Sequence, residues 1–200
     1  MHQFQKKKYV AENKAKRGKK QSAKGVSPSD AEMNNLMQHY QDGEYGDAEN
    51  LALSLTERFP KHQSAGKVLS AVLQQLGRTS ESLAVIQKSI ELDPKDVEAH
   101  NNLGITFKKL DRLEEAETSY RQAITLKPDF AEAYCNLSSI LSSLGRLAEA
   151  EASCRQAISL KTDFAEAYYN LGISLGKLGN LDEAGAMSEG NNKLESRKSI

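Results

Sequence analysis

Apolar residues in this chain recur at spacings of three and four, in paired runs separated by turns of about two residues. The clearest pair lies in residues 97–130. Leu103, Phe107 and Leu110 form one stripe, and Ala116, Tyr120, Ala123 and Ile124 form the next, with Asp111-Arg112 between them. Stripes of this period predict helices buried on one face. The boundaries predicted are about Val97 to Leu110 and Leu113 to Leu126. The same pattern returns at once in residues 131–164, which match residues 97–130 at 19 of 34 positions without a gap. A third copy opens at Ala165 with AEAYYNLGISLGKLGNLDEA. A 34-residue period that carries two helical runs predicts a stacked array, in which each helix pair buries its apolar face only against its neighbours.

Two weaker copies precede these. Residues 63–96 carry Leu69, Leu73 and Leu76, then Gly77-Arg78 as the turn, then Leu83, Ile86 and Ile90. Asp93-Pro94 ends that unit, because proline cannot continue a helix. Residues 29–42 and 45–58 read as a further pair, with Gly43 at the turn, Ala48 at the close-packing point and Phe59-Pro60 as the stop. Its start is read as Ser27 capping, Pro28 in the first turn and Asp30 at the positive helix end. Asp129 and Asp163, each followed three residues later by Glu132 or Glu166, read as capping boxes. After Ala184 the pattern is lost: Gly185 and Gly190 each cost a helix about 1 kcal/mol against alanine. The expected organisation is an arm over 1–26 and an array over 27–184, with units at about 29–62, 63–96, 97–130, 131–164 and 165–184. A degenerate or frayed tail follows over 185–200, an ending that reads as a chain cut within a repeat.

Charge separates the arm from the array. The formal net charge is zero, but residues 1–25 hold nine Lys/Arg against one acid, Glu12, while the remainder holds 18 basic and 26 acidic residues. The arm reads as a disordered basic segment, suited to nucleic acid or an anionic membrane, to an import signal, or simply to solubility. No apolar run approaches the roughly 20 residues needed to span a bilayer. The N-terminal segment is charged throughout rather than secretory in pattern, so a cytoplasmic location is expected. Cys135 and Cys154 form no metal or redox motif and fall at repeat slots occupied elsewhere by Asn101 and Tyr120.

The set His100, Leu103-Gly104, Phe107, Ala116, Tyr120, Ala123 and Pro128 resembles the tetratricopeptide repeat, specifically over 97–184 and more weakly over 29–96. Ser138 for glycine, Cys154 for the aromatic and Thr162 for proline depart from the family pattern. The resemblance implies an all-α, right-handed superhelical solenoid of about five helix pairs whose first helices line a concave surface. It also implies a scaffold for protein or peptide ligands. Asn102, Asn136 and Asn170 recur at the sixth position of three consecutive units. They resemble the asparagine ladder in the superhelix of O-linked N-acetylglucosamine transferases, which holds the backbone of an extended peptide. An amide side chain both donates and accepts, so it pairs with peptide groups whatever their sequence; the alternative is that these amides only tie adjacent helices together. Asn101 sits beside them, and Lys108, Lys109 and Lys177 lie further along the same helices, placed for acidic side chains or a terminal carboxylate. The second expectation from the resemblance is a substrate-docking region of a glycosyltransferase whose catalytic domain is absent from this chain.

The chain carries no phosphate-cradling loop, nucleophile elbow, zinc spacing or dinucleotide fingerprint. His2, His39, His62 and His100 are scattered, and His100 occupies an aromatic repeat slot. Glu114-Glu115 and Glu149 to Glu151 recur with the period and read as solvated helix faces. The expectation is a non-enzymatic module without metal or cofactor.

Overall fold

The computed structural model describes residues 27–188, in which all regular structure is helical. Its helices are α1 (Asp30–Gln41), α2 (Tyr45–Arg58), α3 (Gln63–Gln75), α4 (Thr79–Leu92), α5 (Val97–Lys109), α6 (Leu113–Leu126), α7 (Ala131–Ser143), α8 (Leu147–Leu160) and α9 (Ala165–Leu178). A further helical stretch covers 181–188. Odd-numbered helices are the first of each unit and even-numbered helices the second. The expected solenoid of helix pairs is therefore present, and the predicted bounds of the third unit differ from those observed by one residue. The basic arm over 1–26 lies outside the described residues.

Turns repeat as strictly as stripes. Gly43, Gly77, Gly145 and Gly179 occupy one repeat position, each with φ between 73° and 87°, and Asp111 holds the same slot at φ 58°. That left-handed geometry costs a residue with a Cβ about 1–2 kcal/mol, and glycine escapes the cost. Caps follow the period less closely than the sequence implies. Ser29, not Ser27, caps α1: its hydroxyl accepts from the Glu32 amide while Glu32 accepts from the Ser29 amide at 2.9 Å. Pro28 is buried ahead of the cap rather than within the first turn. Asp129 and Asp163 cap nothing, because the residues at the cap positions of α7 and α9 are Phe130 and Phe164, without side-chain bonds. Asp96 stands at that position one unit earlier and does cap α5, accepting from the Ala99 amide at 3.0 Å.

Neighbouring first helices meet directly at α1–α3, α5–α7 and α7–α9, while no two second helices come as close. The array therefore bends toward its first helices, which line the inner face. Second helices are linked across the outer side by long side chains. Arg146 reaches Glu117 of the preceding unit at 2.7 Å and its own Glu149 at 2.6 Å. Arg78 makes the same pair of contacts with Glu49 and Glu81, both at 2.6 Å. Arg155 bridges Glu151 at 2.9 Å and Glu183 at 2.6 Å. The repeated glutamates are thus partly committed to ion pairs, which contribute little on an exposed, solvent-screened face.

The apolar core falls into blocks. Leu36, Leu55, Phe59, Leu69, Val72 and Leu73 join the first two units. Phe107, Tyr120, Leu137, Ile140 and Leu141 join the third and fourth. Between the second and third units Leu83 packs against the cluster around Phe107, while the first helices are spanned by polar groups, Gln74 to the Thr106 hydroxyl and Lys67 to Asp96 and Glu98. Leu76, expected in the stripe of the second unit, is instead 40% exposed at the end of α3. Helix also persists beyond Ala184, where a loss of pattern was expected. Met187 and Ala184 pack against Cys154, Leu171 and Leu175, burial that offsets the low helix propensity of Gly185, while the rest of the expected tail, 189–200, lies outside the described residues.

Within each unit the two helices cross at one repeat position of the first and one of the second. In the third unit these are Gly104 and Tyr120: a Cβ built on Gly104 would lie 2.5 Å from the Tyr120 ring. In the fourth they are Ser138 and Cys154, both fully buried, and the Ser138 hydroxyl donates to the Cys135 carbonyl at 2.7 Å. The two departures from the family pattern thus compensate: the larger residue on one helix faces the smaller on the other. Gly104→Ser alone is expected to lower stability by about 1–3 kcal/mol through overpacking. Combination with Tyr120→Cys should recover at least half of that loss, and urea denaturation of the full chain with a double-mutant cycle measures the coupling.

The Ser29 amide and Arg58, whose Nη1 lies 2.7 Å from Glu32, hold the Glu32 carboxyl down at about 2. A carboxyl with a depressed folded-state pKa contributes stability above its unfolded value near 4.3 and loses it as pH falls toward the folded value. Wild type should therefore destabilise between the ordinary Glu range and pH about 2 more steeply than Glu32→Gln, as read from thermal unfolding across that window.

Candidate functional site

The inner face is held by side chains that reach from one first helix to the next. Lys67 on α3 pairs with Asp96 at 2.7 Å and Glu98 at 3.0 Å. Gln74 donates to the Thr106 hydroxyl at 3.1 Å. Asn136 Nδ2 donates to Asn101 Oδ1 at 3.0 Å, and Lys108 Nζ donates to the Ser139 hydroxyl at 2.8 Å. Asn170 Nδ2 reaches the Cys135 carbonyl at 3.4 Å, and Lys177 Nζ reaches the Ser142 hydroxyl at 3.2 Å. Apart from Lys67–Asp96, which ends on the α5 cap, sequence separations of 31 to 35 residues show these to be bonds between corresponding helices of consecutive units.

The residues singled out from the sequence all lie on these first helices, but in different roles. Asn136 and Asn170 are half-buried, and each spends an amide N–H on the fifth position of the preceding unit. Asn101 is the buried acceptor at that position, 8% exposed. Asn102 is half-buried, and its side chain makes no hydrogen bond among the described residues. Lys108 and Lys177 are exposed and span to neighbouring helices, while Lys109 is exposed beside Lys108. The three sixth-position asparagines are not bonded to one another; the bonds run diagonally, from the sixth position of one unit to the fifth of the last. The helix-tying role is thus present in two of the three. Their Oδ1 atoms have no partner among the described residues and are held in place by the bond on the other side of each amide.

The array also supplies groups that were missed. Lys67, Gln74 and Thr106 join the second unit to the third by the same device, with different residue types at the repeat positions. Glu98, Glu132 and Glu166 stand exposed at the second position of three first helices, opposite in sequence to the lysine ends. On α9, Tyr169 is 59% exposed and Ile173 37%, since no following first helix lies against them in the described residues. The thiols are slot fillers. Burial, assisted by Glu166, pushes Cys135 up to about 12, and burial pushes Cys154 up to about 11, so both are protonated at neutral pH. His100 is half-buried, with Nε2 at 2.9 Å from the Pro94 carbonyl, as a packed histidine would be.

Comparison with known proteins agrees with this architecture. Residues 97–130, 131–164 and 165–189 match the family described as tetratricopeptide repeat, and residues 72–111 match one described as TPR repeat. No curated protein matches the chain by sequence. Among solved structures, MamA superposes with a TM-score of 0.71 at 23% identity, over 81% of this chain and 95% of that one. PilF of Pseudomonas aeruginosa gives 0.76 at 19% identity, over 82% and 75%. A MamA fragment from Desulfovibrio magneticus RS-1 gives 0.73 at 16%, over 85% and 96%. At these identities the likeness is one of fold.

Asn136→Ala is expected to cost roughly 1–3 kcal/mol, because it leaves the buried Asn101 carbonyl without a donor. Asn102→Ala breaks no bond among the described residues and should stay within about 0.5 kcal/mol of wild type. Urea denaturation of both variants measures the difference.

Proposed function

The chain belongs to the tetratricopeptide repeat family, and on that footing we propose that it is a protein-interaction scaffold that binds an extended peptide along its inner face. The observation that carries this reading is the fixed set of amides on the first helices. Asn136 and Asn170 are each pinned through one N–H, which leaves a carbonyl oxygen oriented before any ligand arrives. Asn102 adds an uncommitted amide one unit earlier. Peptide N–H groups need acceptors of this kind at regular intervals, and acceptors ordered in advance reduce the entropy lost on binding. Sequence preference then comes from the edges. Lys108, Lys109 and Lys177 lie at the C-terminal ends of the first helices and favour acidic side chains or a terminal carboxylate there. No observation favours the alternative of a glycosyltransferase docking region over this simpler reading, and none assigns the basic arm a nucleic-acid or membrane ligand.

Peptides selected from a random display library on the full chain provide the ligand for a test. Affinity should fall at least tenfold when Asn102, Asn136 and Asn170 are all changed to alanine. Asn102→Ala alone isolates ligand contact from helix tying, and should weaken binding severalfold while leaving denaturation unchanged. Unaltered titrations in both variants would sink the amide ladder.

A further inference from the structure

One helix-interior glycine has no backbone reason to be glycine. Gly66 lies within α3, has no positive φ and forgoes the helix propensity that alanine would supply. It occupies the fourth position of its unit, where the next three units carry His100, Tyr134 and Tyr168, all half-buried. Where those rings would sit, a cleft of about 230 Å³ opens between α2, α3 and α4. Leu53, Phe59, Leu69, Val85 and Leu92 line it, and Leu53 and Leu92 are each 42% exposed, so it is open to solvent. A cavity of about 150 Å³ with similar walls admits a benzene ring. This one has room for a substituted ring but is smaller than the roughly 300 Å³ at which drug-sized pockets begin.

The polar lining gives the ring a direction. Lys88 and His62 border the cleft and no carboxylate does. The His62 Nδ1 atom is buried without a hydrogen-bond partner among the described residues. We propose that this cleft is a second docking site, which accepts a tyrosine side chain from a separate polypeptide with acidic residues flanking that tyrosine. The ring replaces the one that Gly66 lacks, the phenol hydroxyl is available to His62, and a neighbouring carboxylate meets Lys88. The chain's own residues 1–26 contain Phe4 and Tyr9 but carry nine basic residues against one acid, the wrong charge for this lining. The site is separate from the inner face and does not depend on the amide ladder.

A filled variant provides the test. The Cβ that a larger residue adds at Gly66 would lie 3.3 Å from the Ser89 hydroxyl. The units with a fourth-position ring and a second helix described to that point carry Ala123 and Ala157 at the place of Ser89. Gly66→Tyr with Ser89→Ala therefore imports a pair the fold already uses, and its thermal unfolding should fall no lower than wild type. With p-cresol as probe, the methyl NMR signals of Leu53, Leu69, Val85 and Leu92 should shift saturably in the wild-type chain and not in the filled variant. An acidic peptide with one tyrosine should bind at least tenfold tighter than a basic one, with the preference reversed by Lys88→Glu. That binding should survive Asn102→Ala/Asn136→Ala/Asn170→Ala. Methyl shifts that are absent in wild type, or that persist in the filled variant, would overturn the proposal. So would a rise in p-cresol affinity on Phe4→Ala/Tyr9→Ala, which would make the arm the occupant. Signals that change with protein concentration alone would assign the cleft to a second copy and equally overturn it.

Discussion

The volume at the crossing point within each helix pair is the constraint from which the rest of the structure follows. The two helices of a unit approach closely enough that Gly104 has no room for a Cβ against Tyr120. The partner unit solves the same distance with Ser138 against Cys154. Interiors packed to this density tolerate exchange of volume between facing residues far better than addition of volume to one of them. Once that separation is fixed, the stripes on both helices face the neighbouring units, and each unit completes the core of the next.

Curvature adds a second consequence. Because first helices lie closer to one another than second helices do, short side chains suffice on the inside and long ones are needed on the outside. The inner side uses Asn, Gln, Thr and Ser, with lysine only where it reaches along an edge. The outer side uses arginine to glutamate. The inner bonds consume one side of each asparagine amide and orient the other. Structural tying and the ligand contact proposed above are therefore compatible in one side chain, and Asn102 separates them because its side chain makes no tying bond among the described residues.

Much of this was legible in the sequence because the period constrains each position several times over. The 34-residue repeat gave the helix pairs, the turns and the inner-face residues, since a stripe that recurs in register can be read by comparison of unit with unit. What failed was local. Ser29 rather than Ser27 caps α1, and Asp129 and Asp163 cap nothing, because a cap depends on one residue of register. Leu76 left the stripe at the frayed end of its helix. The pairing of Ser138 with Cys154 was also out of reach of a slot-by-slot comparison, which scores each departure separately while the space they share is set by two helices at once. The glycine at the fourth position of the second unit was visible in the sequence, but an empty volume becomes apparent only with its walls in place.

The seam between the second and third units stands apart from the others at its inner edge. Elsewhere, parting two units exposes contiguous apolar surface, which resists opening in proportion to area. At this seam α3 and α5 approach less closely than the other neighbouring first helices do, and the groups that span them are Gln74 with Thr106 and Lys67 with Asp96 and Glu98, bonds that water replaces at small net cost. The inner edge of this joint is therefore expected to open more readily than those of the others. Flexing there would change the inner-face pitch at a single place, and would let the peptide proposed above vary in span without repacking of the units on either side.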